Sequence, residues 1–169
     1  KEDQGKQDKS NYELNVTWKL DAETPAVLVL TSSNYEYTGG AHGMFGTNSL
    51  IWDKRRQQSV AFLDLFSDKE AAKAAIMPAY CAMLDAERVG MRGEPTARDE
   101  LFGDCPDPFE GPEPFPVKLN DGHFLRIGFA LPPYFAGPYV EGEYAFDIAA
   151  PDYITRLLKP EYKDLFQSY

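Results

Sequence analysis

Tyr35-Glu36-Tyr37-Thr38-Gly39-Gly40-Ala41-His42-Gly43-Met44-Phe45-Gly46 gathers four glycines around one of the chain's two histidines. The residues before it, Val27-Leu28-Val29-Leu30-Thr31 onward to Tyr37, are β-branched and aromatic and read as a strand. Glycine at this density loses backbone entropy on folding. It is expected where the chain needs positive φ or where another group approaches the backbone closely.

The surrounding sequence extends this into a sheet. Tyr12, Leu14, Val16, Trp18 and Leu20 alternate with Glu13, Asn15, Thr17 and Lys19, the pattern of a half-buried antiparallel strand. Residues 26–38 form the second strand and 47–53 the third. The polar turn Asp53-Lys54-Arg55-Arg56-Gln57-Gln58 leads back through Ser59-Val60-Ala61. Ser67-Asp68-Lys69-Glu70 matches a capping box and predicts a helix from about residue 68 to 91, burying Ile76, Met77, Tyr80, Cys81 and Leu84. Pro78 lies inside it and removes the N–H that would bond Ala74, so a kink or break is expected there.

Residues 92–116, rich in Gly, Pro, Asp and Glu, make a long irregular excursion that needs fastening in a compact domain. Val117-Lys118-Leu119, the turn Asn120-Asp121-Gly122, and Phe124 to Leu131 predict a hairpin. A loop over 132–142, a strand over 144–148 and a short helix over 152–158 follow. The fold class expected is α+β: a mainly antiparallel sheet packed against one principal, Pro-kinked helix, plus a short C-terminal helix.

Composition bounds the function. At 169 residues and 43% hydrophobic, the chain has the length of one globular domain. Residues 1–10 are wholly polar and read as a tail or linker, leaving 11–169 as a single α+β domain. A net charge of −10 opposes binding to nucleic acid and to anionic lipid; it either keeps the protein soluble or steers a basic partner towards it. No apolar run approaches the roughly eighteen residues of a membrane span. The chain begins at Lys1, so an N-terminal segment, where any anchor would lie, is expected to have been removed. Cys81 and Cys105 form neither a four-ligand zinc site nor a Cys-x-x-Cys pair. They either pair in an oxidising compartment or are two separate thiols.

The run Tyr37-Thr38-Gly39-Gly40-Ala41-His42-Gly43 is followed by Trp52-Asp53, then by Phe62-Leu63-Asp64-Leu65-Phe66, and far downstream by Ala136-Gly137-Pro138-Tyr139-Val140-Glu141-Gly142-Glu143-Tyr144. This order resembles the extracytoplasmic domain of unknown function shared by RsiV-type lysozyme-sensing anti-sigma factors and PdaC-type peptidoglycan deacetylases, over about residues 11–169. The resemblance implies a periplasmic or extracytoplasmic location and favours the Cys81–Cys105 disulfide. Its partners suggest a basic protein such as lysozyme, or peptidoglycan.

Catalytic patterns do not stand out. There is no Gly-x-Ser-x-Gly elbow, phosphate loop or His-Glu-x-x-His arrangement, and no metal or cofactor is expected. His42 reads either as a recognition residue on a glycine-lined rim or as an imidazole pinning the loop to its own backbone. The binding candidates are His42, Gly40, Gly43 and Tyr37 in the glycine run, with Tyr139, Glu141 and Glu143 downstream. The expected function is a non-enzymatic binding or sensing domain of the bacterial cell envelope. The alternative is an accessory or catalytic module acting on peptidoglycan.

Overall fold

The computed structural model describes residues 12–98 and 100–166, and the polar segment 1–10 lies outside them. The α+β class holds, with the strands divided into two antiparallel sheets. The first is a meander of β1 (Glu13–Glu23), β2 (Val27–Tyr37), β3 (Met44–Asp53) and β4 (Gln58–Val60). Thr24 closes its first turn by accepting from the Val27 N–H at 3.0 Å. Asp53 closes the third: Oδ1 accepts from the Arg55 and Arg56 N–H groups at 2.8 Å each, and Oδ2 accepts from the Tyr162 hydroxyl at 2.5 Å. β3 starts three residues earlier than position 47, because its ladder with β2 continues to Glu36–Met44 and carries Gly46 inside a strand.

β1 corrects one expectation. It is antiparallel to β2 as its alternation predicts, but it is not half-buried: Leu14 is 69% and Trp18 50% exposed. Alternation reports that one face is apolar, not that something covers it. The pairing of Leu20 with Leu30, Leu30 with Leu50 and Leu28 with Trp52 carries this apolar face across the first sheet, so both tryptophans, Trp18 and Trp52, lie on it. Val27, Val29 and Ile51, of opposite parity, point into the core.

The second sheet orders β5 (Phe115–Asn120), β6 (His123–Leu131) and β7 (Tyr144–Ala149). Asp121 and Gly122 join β5 to β6 with φ of 47° and 83°, the two left-handed residues of a two-residue hairpin turn. α1 (Lys69–Arg92) packs against β7, and β3 lies against β6. Between them sit Ile76, Tyr80 and Leu84 of α1 with Ile127, Phe129 and Tyr144 of the sheet, all buried. The Tyr80 ring stands 4.9 Å from that of Phe129. α2 (Ile154–Leu157) is shorter than the helix expected over 152–158 and is followed by a tight turn at Pro160–Tyr162.

The start of α1 differs from the capping box. Asp68, not Ser67, is the N-cap and accepts from the Ala71 N–H at 3.0 Å. The Ser67 hydroxyl donates instead to the Leu157 carbonyl at 2.9 Å, tying the helix start to α2. No break occurs at Pro78. Pro78 and Ala74 both lie on the exposed face, where the carbonyl deprived of its donor is open to water. The helix closes at Gly93, whose φ of 81° is the left-handed C-cap conformation.

The excursion after α1 is fastened at several points. Cys81 and Cys105 form a disulfide closing a sequence separation of 24 residues. Lys73 pairs with Asp107 at 2.6 Å, and the Glu113 carboxylate accepts from the Phe62 N–H at 3.0 Å. Arg88, 1% exposed, supplies a further tie. Its Nε and Nη2 donate to the Ala136 carbonyl at 3.1 and 2.8 Å, and Nη2 also donates to the Asp104 carbonyl at 2.9 Å. One guanidinium thus joins α1 to two loops.

Arg88→Ala is expected to destabilise by about 3 kcal/mol or more, because buried carbonyls lose their donors. Arg88→Lys should recover little, since an ammonium lacks the planar fork. Loss of the disulfide in Cys81→Ser/Cys105→Ser should cost roughly 3 kcal/mol in the chain-entropy model. Urea denaturation of the three proteins checks both.

Candidate functional site

Two segments far apart in sequence meet at the glycine run. Gly39 and Gly40 adopt φ of 98° and 103°, a region that side chains with a Cβ rarely enter, and this turns the chain sharply between β2 and β3. Gly43 is needed for a different reason. A Cβ there would stand 2.6 Å from the Tyr35 ring, so the backbone lies directly on that tyrosine. The Tyr37 hydroxyl donates to the Gly40 carbonyl at 3.0 Å and pins the other side of the turn.

The second segment is the loop over 132–142. The Tyr139 hydroxyl donates to the Gly43 carbonyl at 2.8 Å, and its ring stacks on His42 with centroids 3.8 Å apart. Phe45 meets the same tyrosine edge-on at 5.7 Å. His42 Nδ1 lies 3.1 Å from the Gly43 carbonyl, and Nε2 lies 3.4 Å from the Tyr134 hydroxyl. One neutral tautomer satisfies both contacts: Nδ1–H donates to the carbonyl and Nε2 accepts from the phenol. The imidazole is therefore held by its own loop and also sits at the surface beside an exposed tyrosine. Both readings of His42 describe part of this geometry.

The two downstream carboxylates are engaged within the fold. Glu141 takes a bidentate pair of hydrogen bonds from Arg92, both 2.8 Å, and a third at 2.5 Å from the Tyr144 hydroxyl. The Arg92 guanidinium holds the Glu141 carboxyl below its ordinary range; burial opposes this and the Tyr144 hydroxyl reinforces it. The Tyr144 phenol is pushed up to about 12, chiefly by burial and then by this carboxylate. Glu143 accepts from the Thr47 N–H at 2.5 Å and from its hydroxyl at 2.9 Å, binding the loop to β3. The structure thus brings His42, Gly43 and Tyr139 together, sets Tyr37 and Gly40 beside them, and uses Glu141 and Glu143 as braces.

Tyr134 is the member that the sequence reading missed. It is 51% exposed and has a φ of 72°, uncommon for a residue with a large side chain. Pro132-Pro133 before it and Gly137 after it mark a turn, but nothing in their spacing says that its ring meets His42. His123 is separate from the cluster and has its Nδ1 2.7 Å from the Asp164 carbonyl. Among the described residues, no cluster of three or more His, Cys, Asp or Glu side chains is arranged to hold a metal ion.

Gly43→Ala is expected to destabilise by about 1–3 kcal/mol through overpacking on Tyr35. Gly40→Ala should cost about 1 kcal/mol through its positive φ. Because the Glu141 carboxyl is depressed in the folded state, its contribution is present above the ordinary glutamate value and lost as pH falls through the lowered one. The stability gap between wild type and Glu141→Gln should therefore narrow as pH falls from about 6 to about 3, read from urea midpoints.

Three comparisons with known proteins bear on this arrangement. Residues 1–45 match the family model of the deacetylase PdaC, which reaches through the glycine run but covers the smaller part of the chain. No curated protein matches the sequence. A DUF3298 family protein from Pseudomonas aeruginosa, 19% identical, superposes with a TM-score of 0.63 over 94% of this chain and 66% of its own. A DUF3298 member from Bacteroides fragilis, 21% identical, gives a TM-score of 0.53 over 89% of this chain and 56% of its own. These likenesses show the fold, and the chain spans only part of the length of either protein.

Proposed function

We propose that the protein is a non-catalytic binding or sensing domain of the bacterial cell envelope, and that its binding surface is the rim where the glycine run meets the loop over 132–142. The observation that carries this reading is Tyr134. A tyrosine held at a φ of 72° costs backbone energy, and here the conformation presents a half-exposed ring beside His42 and Tyr139. An aromatic group flanked by an imidazole suits contact with a protein surface. The Cys81–Cys105 disulfide is suited to an oxidising, extracytoplasmic compartment, and among the described residues no helix is long and apolar enough to cross a membrane. A net charge of −10 would steer a basic partner towards the domain. The resemblance to lysozyme-sensing anti-sigma factors makes lysozyme the first partner to test.

Titration of the protein with lysozymes at low salt tests the reading. Tyr134→Gly is the informative variant, because it relieves the positive φ while removing the ring. Its melting temperature is expected to hold or rise, and affinity to fall roughly tenfold or more. A variant that binds like wild type removes Tyr134 from the interface. Absence of binding at tens of micromolar excludes lysozyme as the partner.

A second reading, an accessory module acting on peptidoglycan, is favoured by the deacetylase family match at residues 1–45. Incubation with muropeptides, with and without zinc, followed by mass spectrometry distinguishes the two. Turnover abolished by His42→Ala would establish the enzymatic reading.

A further inference from the structure

β1 is an edge strand. Among the described residues its ladder runs only to β2, so its other side presents unpaired amide and carbonyl groups. Natural edges are usually guarded by proline, by a bulge, by charged side chains such as lysine or by charges that turn inward. From Glu13 to Leu20, β1 has no proline, and its register with β2 is regular until the shift between Leu20 and Ala22. Its apolar side chains also stand in solvent: Val16 is 48% and Leu20 52% exposed.

We propose that this edge pairs with the same edge of a second copy of the chain, about a two-fold axis at Val16, joining the two first sheets into one antiparallel sheet. The charges select the register. An axis perpendicular to the sheet requires opposing residues to share a face, so their numbers sum to an even value. With the axis at Val16, Lys19 faces Glu13 of the second copy and Trp18 faces its Leu14. Residues 13–19 of the regular part then face one another and the bulge lies outside the contact. An axis at Thr17 sets Asp21 against Glu13, two like charges, and draws the bulge into the ladder. An axis at Asn15 separates Glu13 from Lys19. The Lys19 side chain is 75% exposed and pairs with Asp21 of its own strand at 2.5 Å, a pair that Glu13 of a second copy would join or replace. The contact is one strand wide, which makes the association weak and concentration-dependent.

Sedimentation velocity of the full chain over roughly 10 to 500 µM tests the proposal, a range set by the small interface. The sedimentation coefficient is expected to rise with concentration. Glu13→Lys and Lys19→Glu should each weaken association at least tenfold, and the double variant should restore it. Lys19→Glu also disturbs the pair with Asp21 in its own chain, but the double variant keeps that disturbance, so restoration reads the contact between copies. Val16→Cys should give a covalent dimer on mild oxidation, because opposing Cα atoms of an antiparallel pair lie about 4.5–5.5 Å apart, within disulfide reach. Circular dichroism confirms that each variant folds. A monomer at every concentration overturns the proposal, as does a dimer indifferent to both charge reversals. A monomer whose outward β1 amides resist hydrogen exchange would show that another segment occupies the edge, and would overturn it equally.

Discussion

The fork that Arg88 makes inside the molecule is the interaction on which the rest of the structure leans. The side chain leaves α1 on its buried face and donates to the carbonyls of Ala136 and Asp104. These acceptors belong to two loops that share no secondary structure with the helix or with each other. The guanidinium places the loop over 132–142, and that loop places Tyr134 and Tyr139 against His42. The glycine run would otherwise have one tyrosine fewer to rest on. The geometry of the rim is thus set from below, by a charge that solvent does not reach.

Burying that charge carries an electrostatic penalty. Burial chiefly, and the neighbouring Arg92, depress the Arg88 pKa, while Asp85, Tyr144 and Tyr80 oppose the shift. An arginine stays charged regardless, so the compensation comes from oriented carbonyl dipoles together with the Asp85 carboxylate, 3.4 Å from Nη1. Backbone carbonyls suit this role because they are fixed by the chain and cannot relax away. Arg92, one turn along the same helix, uses the complementary device: a full carboxylate, Glu141, in a less buried position. Two arginines on one helix therefore hold the middle and the end of one loop, the first through its backbone and the second through a side chain.

Much of this architecture is legible in the sequence, and the failures have physical causes. Period-two alternation locates β1, and Asn120-Asp121-Gly122 locates the second hairpin, because both signals are local. The stripe Ile76, Tyr80, Leu84 identifies the buried face of α1, and the same spacing reaches Arg88. A cation on an apolar stripe is the signal for the central tie, but its acceptors lie in two other segments. Ser67 and Asp68 compete for one cap, and the choice depends on Leu157, ninety residues away. Glu141 and Glu143 look available because Arg92 and Thr47 are distant in the chain. The local side of the candidate rim, the glycine turn with His42, is readable; its far wall is not, since Tyr134 and Tyr139 arrive only by tertiary packing. Alternation likewise fails to say whether the apolar face of β1 is covered.

The placement of the two tryptophans has an optical consequence. Trp18 on β1 and Trp52 on β3 share the outer face of the first sheet, and α1 and the three-stranded sheet contain none. Intrinsic indole emission is thus a local reporter. It senses whatever touches or wets that face, and it is nearly blind to loosening of the helix or of the disulfide-bound loop. Fluorescence would then follow the first sheet alone, while circular dichroism follows the whole backbone with its largest signal from α1.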